Sequence, residues 1–95
     1  MIKVVAKMNI STEAIGSAMP LIEELIAATV QEEGCIAYNF CKELGSADAY
    51  AILESWETQE ALDAHSSSEH FIRILPQLGA FVTGDVAITA YEVLV

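Results

Sequence analysis

Residues 50–71, YAILESWETQEALDAHSSSEHF, decide the fold, because they begin with the pattern of a strand and end with that of a helix. The first seven residues alternate in polarity and carry the aromatic content that suits a pleated surface. Period two places four residues on one face of this strand: Tyr50, Ile52, Glu54 and Trp56. Thr58 can cap the helix that follows by accepting a backbone N–H of its first turn. The stretch therefore directs a carboxylate and an indole the same way, shortly before His65 on that helix.

The strand within the quoted stretch is predicted to run from Ala49 to Trp56. Three further segments have the pattern of strands: Ile2 to Ile10, Ile36 to Glu43 and Val86 to Val95. In the first of them, every second residue is apolar from Ile2 to Ile10, which predicts a face packed against helices. Turn residues at 45–48 predict a hairpin between the second and third strands. Residues 79–84 are predicted to be a connector ahead of the last strand.

The first helix is predicted within Ser11 to Gln31, where apolar residues recur at three- and four-residue steps. Pro20 leaves two alternatives, since an interior proline removes a backbone hydrogen bond. The helix either runs from about Thr12 with a bend, or starts near Ser17 with Pro20 in its first turn. Gly34 suits the left-handed position after the last turn.

The second helix is predicted to break near Ser66–Ser68, because three consecutive serines favour caps and turns over a helix interior. Ser66 and Glu69 have the spacing of a capping box, so a further helix is predicted to begin there and to run to about Leu78. The resulting order, β-α-β-β-α-β, is the ferredoxin-like α+β plan, with an antiparallel sheet and helices on one face. Residues 1–95 are expected to form a single domain.

The face of the sheet away from the helices is also largely apolar, with Val5, Ala51 and Leu53 among its residues. Left bare, this face would expose more apolar surface than a monomer tolerates. We therefore expect a homodimer in which two sheets pack face to face. The high hydrophobic content, 54% of residues with a mean hydropathy of +0.43, favours the same expectation.

Composition excludes several classes of function. Fourteen acidic residues against four basic ones give a net charge of −10, so no basic stripe is present for nucleic acid. The chain has no Gly-rich phosphate loop, and no apolar run approaches the ~18–20 residues of a membrane-spanning helix. Cys35 and Cys41 are interpreted as free thiols of a protein in the reducing cytoplasm, with no signal peptide. A small neutral aromatic substrate fits this composition best.

Four motifs resemble the antibiotic biosynthesis monooxygenase (ABM) family: Glu54-x-Trp56, Ala61-Leu62-x-x-His65, Ser68-x-His70-Phe71 and Glu33-Gly34-Cys35-x-x-Tyr38. The resemblance spans nearly the whole chain and implies a small dimeric α+β barrel. It also implies a monooxygenase that works without metal, flavin or haem. The substrate so implied is a phenolic or quinol-type compound whose deprotonated form reduces dioxygen itself.

The candidate catalytic residues are His65, Glu54, Trp56 and His70. His65 is the favoured base, and Glu54 is its expected partner, because an unpaired buried carboxylate is costly. This pair either ties helix to strand as a structural hydrogen bond or acts as a general base that the carboxylate orients. Trp56 either anchors the next helix in the core or forms the wall of an aromatic pocket, and both roles are compatible.

The candidate substrate contacts are Tyr50, Phe71, Met8 and Arg73. Arg73 is the one basic group of the last helix, and it forms either a surface salt bridge or a contact to a substrate oxygen. The haem-degrading branch of the fold has an Asn on the first strand and a His on the last helix. Met8 and Leu75 stand at those positions, so haem degradation is disfavoured.

A metal site built from His65, Glu69 and His70 is disfavoured as well. The two histidines lie five residues apart, which on one continuous helix rotates them by roughly 140°. Only the break at Ser66–Ser68 could bring them together.

Two alternative functions remain. The run from Gln31 to Gly34 and the paired histidines are similar to a branch that isomerises a phosphorylated autoinducer fragment, although the few cations count against a phosphate. The other alternative is a non-catalytic dimeric binding domain with a closed pocket. A cavity bordered by His65 and Glu54 would favour an enzyme over this last possibility.

Overall fold

A four-stranded antiparallel sheet forms the centre of the computed structural model, which describes residues 1–95. Along the chain the elements are β1 (Ile2–Ile10), α1 (Ile15–Thr29), β2 (Cys35–Lys42), β3 (Ala49–Trp56), α2 (Gln59–Ser66), α3 (Glu69–Gly79) and β4 (Val82–Glu92). The strand order is β2-β3-β1-β4, and every neighbouring pair is antiparallel. The predicted ferredoxin-like α+β fold is confirmed.

The core lies between one face of the sheet and the helices, and β1 is central to it. As its alternation predicts, Val4, Ala6, Met8 and Ile10 are all buried. They pack with buried residues of α1 and α3: Ala18, Ile22, Leu25, Ile74 and Leu78. Each large apolar side chain buried in this way contributes about 1.5–3 kcal/mol of transfer free energy.

Helix α1 begins at Ile15, between the two predicted starting points, with Pro20 as its sixth residue. A turn precedes it, in which the Ser11 carbonyl accepts the N–H groups of Ala14 and Ile15 at 3.1 and 3.0 Å. Pro20 therefore lies in the second turn, where it removes one backbone hydrogen bond. The alternative that starts near Ser17 with Pro20 in its first turn is therefore wrong, because the turn from Ser11 runs directly into the helix.

The second helix is broken where the three serines predict, so that α2 ends at Ser66 and α3 starts at Glu69. Thr58 caps α2 as predicted, since its side chain accepts the Ala61 N–H at 3.1 Å. The predicted capping box at Ser66 is wrong. Ser68 has the extended backbone of an N-cap and accepts the Phe71 N–H at 3.4 Å, whereas the Ser66 hydroxyl donates back into α2.

Strand β4 starts at Val82 instead of Val86, and it ends at Glu92. Val82 pairs with Ile10 across a register shift that falls between Lys7 and Asn9. The second half of the predicted 79–84 connector is therefore strand. The alternation of polar and apolar residues along the sequence does not reveal a bulge of this kind.

The second face of the sheet carries no helix. Leu53 of β3 and Tyr91 of β4 lie on it with exposed fractions of 43% and 55%. The β1–β4 register places Tyr91 opposite Lys3 and Thr89 opposite Val5. These alternate residues of β4 therefore point to this face of the sheet. Exposed apolar side chains therefore lie on this face, as the sequence predicts, beside polar residues such as Lys3 and Asn39.

Cys35 and Cys41 are both free. Burial raises the pKa of the Cys35 thiol, and the nearby carboxylates of Glu32 and Glu54 raise it further, so the unreactive thiol form is favoured. No helix combines the length and the hydropathy that crossing a bilayer requires.

Candidate functional site

Glu32 joins the two histidines of the chain. Its Oε2 lies 2.6 Å from Nδ1 of His65 and 2.8 Å from Nε2 of His70. The side chains are 14% exposed for Glu32, 2% for His65 and 16% for His70. An ionised carboxylate only accepts hydrogen bonds, so both ring nitrogens are the donors. The two imidazoles therefore share one carboxylate oxygen in a largely buried group, which we call the Glu32 cluster (Glu32, His65 and His70).

The turn after α1 delivers Glu32 to this cluster. Gly34 in that turn has a positive φ of 83°, as predicted, and its carbonyl accepts the Glu57 N–H at 2.8 Å. A Cβ at position 34 would lie 2.5 Å from the Cβ of Ala61 on α2. Glycine is therefore required both for the backbone conformation and for the close approach of the turn to α2, the helix that carries His65.

The break between α2 and α3 delivers His70. Ser68 occupies the break, where its hydroxyl donates to the His65 carbonyl at 2.7 Å and lies 3.2 Å from His70 Nε2. The ring centroids of the two histidines are 6.1 Å apart. The break thus brings them together, but the carboxylate between them is Glu32. Glu69 is not part of the group, as expected from the sequence, and it accepts from Arg73 Nε at 2.7 Å.

The predicted hydrogen bond between Glu54 and His65 is not formed. Glu54 Oε1 accepts the Trp56 indole N–H at 2.9 Å, and His65 Nδ1 is engaged by Glu32. Residues two apart on a strand share a face, so the indole reaches its neighbour's carboxyl without any help from the helix. The shared face was predicted correctly, and the partner of the carboxyl was not.

Burial raises the pKa of Glu54, and repulsion from Glu32 acts in the same direction. The indole hydrogen bond of Trp56 and the proximity of His65 lower it by less. Tyr38 nearby also has a raised pKa, first because it is buried and then because Glu54 and Glu32 repel a phenolate. This region therefore favours neutral ligands and neutral side chains over further negative charge.

Three aromatic rings enclose the His65 imidazole. Their centroids lie 4.8 Å away for Trp56, 5.2 Å for Tyr38 and 4.8 Å for Phe71. The Nε2 atom of His65 is buried and has no hydrogen-bond partner. In the neutral imidazole whose Nδ1 donates to Glu32, Nε2 carries the free lone pair. The cluster thus presents an unpartnered proton acceptor in apolar surroundings.

A cavity of about 210 Å³ lies between the sheet and α3. Twelve residues line it, ten of them hydrophobic: Ala6, Met8, Tyr38, Ile52, Glu54, Phe71, Leu75, Leu78, Gly79, Val82, Val86 and Ile88. It is larger than the ~150 Å³ apolar cavity known to accept benzene, so a small ring compound fits. Glu54 is the only ionisable carboxyl in the wall, and no lysine or arginine lines it.

The predicted site residues lie in four places, apart from His70, which belongs to the Glu32 cluster described above. Glu54, Met8 and Phe71 are in the cavity wall, whereas His65 lies behind it, in contact with Tyr38 and Phe71. Trp56 and Tyr50 belong to the core, where Tyr50 stacks on Phe40 with ring centroids 5.0 Å apart and the rings inclined by 11°. Arg73 is on the surface, paired with Glu24 and Glu69 at 2.7 Å each.

Comparison with known proteins identifies the family. The family model described as antibiotic biosynthesis monooxygenase matches residues 1–77, which include the whole Glu32 cluster. The chain belongs to the ABM family. A relative in Mycobacterium tuberculosis, Rv0793, is 26% identical over 88 residues, which are 93% of this chain and 86% of that protein.

Solved structures show the same ABM architecture. A conserved protein from Methanosarcina mazei Go1 superposes with a TM-score of 0.93 at 36% identity, over 96% of this chain and 90% of that one. The crystal structure of an antibiotic biosynthesis monooxygenase superposes with a TM-score of 0.90 at 33% identity, over 99% of both chains.

Two residues of this ABM site were not predicted from the sequence. In the sequence analysis Glu32 occurs only within the run from Gln31 to Gly34, and Tyr38 occurs only in a motif of the family resemblance. The available signal for Glu32 is its place two residues before Gly34, a glycine that permits a close approach to α2. For Tyr38 the signal was its β2 position directly opposite Glu54, on the helix-facing side of the sheet.

Proposed function

We propose that this ABM protein is a cofactor-independent monooxygenase that acts on a small phenolic or quinol-type compound, with dioxygen as the second substrate. One observation carries the proposal. The free Nε2 of His65, whose tautomer is fixed by Glu32, lies behind an apolar, ring-sized cavity bounded by Tyr38 and Phe71. A base held in this way suits the deprotonation of a weakly acidic hydroxyl.

In the proposed reaction His65 Nε2 takes the hydroxyl proton of the substrate, and because His65 does not line the cavity, the Tyr38 or Phe71 ring between them must move for the proton to pass. Glu32 accepts from Nδ1, so it holds the imidazole in the required tautomer and stabilises the imidazolium that forms. His70 donates to the same carboxylate oxygen and keeps it in place. A positioned base of this kind contributes about 10²–10⁴-fold to a rate, which is sufficient for a substrate that is itself inclined to react with dioxygen.

The substrate supplies all the electrons. A phenol and dioxygen give a quinone and water, so one oxygen atom enters the ring and the other leaves as water with the hydroxyl hydrogen and one ring hydrogen. The phenolate donates electrons to dioxygen, and no external reductant is needed. The apolar cavity wall excludes bulk water from the reactive intermediates.

The cavity wall supports a neutral substrate with one polar group. Glu54 is positioned to hydrogen-bond a substrate hydroxyl, and the remaining wall is almost entirely apolar. A phosphorylated substrate would require cations, and the wall contains none. The cavity of about 210 Å³ argues against a pocket that is packed shut, but it is bordered by Glu54 and not by His65, so it meets only half of the criterion set for an enzyme.

Oxygen uptake with a panel of phenols and reduced quinones tests the proposal. We expect uptake by the wild type with at least one compound, and a loss of about 10²-fold or more in His65→Ala. Arg73→Ala, a change on the opposite, surface-facing side of α3, serves as the control and should retain the wild-type rate. Equal rates for wild type and His65→Ala in folded protein, or no uptake by either, would contradict the proposal.

We further propose that the protein is a homodimer through the open face of the sheet. Exposed apolar residues on this face, Leu53 and Tyr91, support it, because a second copy would remove them from water. Two such sheets can pack face to face about 10 Å apart, which closes a dimeric α+β barrel around the interface. The cavities then remain separate, one within each subunit between its own sheet and helices.

A further inference from the structure

We propose that the Glu32 cluster is a binding site for a divalent transition-metal ion, and that Zn²⁺ is the ion it suits best. Glu32 Oε2, His65 Nδ1 and His70 Nε2 are the ligand atoms, and they lie within 4.8 Å of one another. The site belongs to one chain and needs no partner. It goes beyond the proposed oxygenase reaction, which uses the opposite ring nitrogen of His65.

The ligand separations suit a small ion. Zn²⁺ binds nitrogen and oxygen at about 2.0–2.2 Å, so two ligands of a tetrahedral ion stand about 3.4 Å apart. The two Glu32–histidine contacts are now 2.6 and 2.8 Å. Each of these contacts must therefore open by less than about 1 Å to admit the ion, and the two ring nitrogens, which lie within 4.8 Å of each other, must approach by up to about 1.4 Å. Side-chain rotation alone can supply such a movement at Glu32 and His70, since both are partly exposed.

The ligand types select the class of metal. Two imidazole nitrogens and one carboxylate oxygen suit Zn²⁺ and other first-row transition ions, whereas Ca²⁺ and Mg²⁺ prefer sets made of oxygen alone. Three protein ligands leave at least one position for water or a small molecule. His65 is held in orientation by the three rings around it, which prepares one ligand before the ion arrives.

The electrostatics favour a cation at this place. Glu32 forms no ion pair with a lysine or arginine, so its charge is compensated only through the two histidines. Arg73, on the same helix as His70, is engaged by Glu24 and Glu69. The chain as a whole carries a net charge of −10, which raises the local concentration of divalent cations around it.

Metal binding at His65 prevents its imidazole from acting as the base of the proposed reaction. When Nδ1 of His65 coordinates the ion, the ring proton must reside on Nε2, the atom that accepts the substrate proton in the proposed reaction. Zn²⁺ is therefore expected to inhibit oxygen uptake, an expectation that rests on the proposed function. The binding of the ion itself does not depend on that reaction.

Titration calorimetry with Zn²⁺ on untagged, chelator-treated protein tests the site, together with the visible absorption bands of Co²⁺ as a report on ligand geometry. We expect one ion bound per chain. Glu32→Gln and His70→Gln should each weaken binding by at least about tenfold, the least that disturbing a metal ligand's surroundings costs. The control is Glu69→Gln, which removes a carboxylate one residue before His70 but outside the cluster, and it should bind as the wild type does.

Two outcomes would overturn the metal site: no saturable binding by the wild type, or equal affinity in Glu32→Gln, which would indicate scattered binding to surface carboxylates. If Glu32→Gln fails to fold by circular dichroism, His70→Gln decides the question, because its side chain is the most exposed of the three. The same experiments can reject the proposed function without rejecting the metal site. Saturable Zn²⁺ binding without any metal-free oxygen uptake would retain the metal site and reject the oxygenase.

Discussion

The Glu32 carboxylate and the His65 imidazole meet at 2.6 Å, although 33 residues separate them in the sequence. Glu32 comes from the turn after α1 and His65 from the last turn of α2. The contact leaves Nε2 of His65 as the free lone pair, and it places one carboxylate between two histidines. The proposed reaction and the proposed metal site both depend on this contact.

Replacing Glu32 by Gln should reduce oxygen uptake by about 10²–10⁴-fold while the fold is retained. The amide can still contact His65, but it carries no charge to stabilise an imidazolium, and its own N–H₂ group can impose the other tautomer. Steady-state oxygen uptake measures the effect, and circular dichroism checks the fold. Glu33→Gln is the matched control, since Glu33 is the exposed neighbour outside the cluster. A wild-type rate in Glu32→Gln would remove Glu32 from the mechanism.

Replacing Gly34 by Ala should lower the free energy of unfolding by about 2–4 kcal/mol. Part of the loss is the left-handed backbone, which costs about 1–2 kcal/mol for a residue with a Cβ, and part is the contact with Ala61. Gly45→Ala separates the two parts, because Gly45 has the same positive φ and nothing within 4 Å of the added Cβ. Urea unfolding of both variants gives the comparison. Equal losses would show that the close approach to α2 has no energetic importance.

The strands were predicted well because their periodicity is a local property of the sequence. The bounds of β1 (Ile2–Ile10) and β3 (Ala49–Trp56) agree with the structure, and so do the buried faces that alternation assigned to them. The break at Ser66–Ser68 was also predictable, since serines compete for backbone hydrogen bonds wherever they occur. Such features need no knowledge of distant contacts.

The contents of the site were less predictable, because they depend on contacts between distant segments. Glu54 and Glu32 are both acids that lie near His65 in the structure, and the sequence contains nothing that ranks one above the other as its partner. The structure decides through two facts: the Trp56 indole engages Glu54, and Gly34 allows the turn that carries Glu32 to approach α2. The bulged register of β4 escaped prediction for a similar reason.

Replacing Glu54 by Gln should stabilise the protein increasingly as the pH rises. Burial raises the pKa of Glu54 in the folded state, so the folded protein binds this proton more tightly than the unfolded chain does. The protonated form of Glu54 therefore contributes to stability at low pH. This contribution is lost as the pH rises from near 4.5, the ordinary pKa of a glutamate, through the higher pKa of Glu54 in the folded protein. The loss is about 1.4 kcal/mol for each pH unit between the two pKa values.

Urea unfolding of wild type and Glu54→Gln over a pH series measures this difference, and the other carboxylates cancel because both proteins share them. The amide oxygen of Gln still accepts the Trp56 indole N–H, so the comparison isolates the charge. A stability difference that stays constant with pH, or that shrinks as the pH rises, would contradict the assigned direction.

Filling the cavity should impair the proposed reaction without affecting the fold. Val86→Phe adds a ring to a wall residue that is 38% exposed, so the extra volume enters the cavity mouth and does not strain the closed core. We expect KM for the best substrate to rise by about tenfold or more, with an unchanged melting temperature. Ile72→Phe, at an exposed α3 position outside the wall, is the control. Unchanged kinetics in Val86→Phe would place the substrate elsewhere.

Replacing Leu53 by Glu should dissociate the proposed homodimer. Leu53 lies on the open face of β3, opposite Val5 of β1 and Asn39 of β2, so a carboxylate there would be buried against a second sheet. Sedimentation velocity over a concentration series should show a dimer for the wild type and a monomer for the variant. Leu44→Glu, in the exposed turn between β2 and β3, introduces the same charge away from the sheet face and should remain dimeric. If the wild type sediments as a monomer, or if Leu53→Glu stays dimeric, the two sheets do not pack face to face.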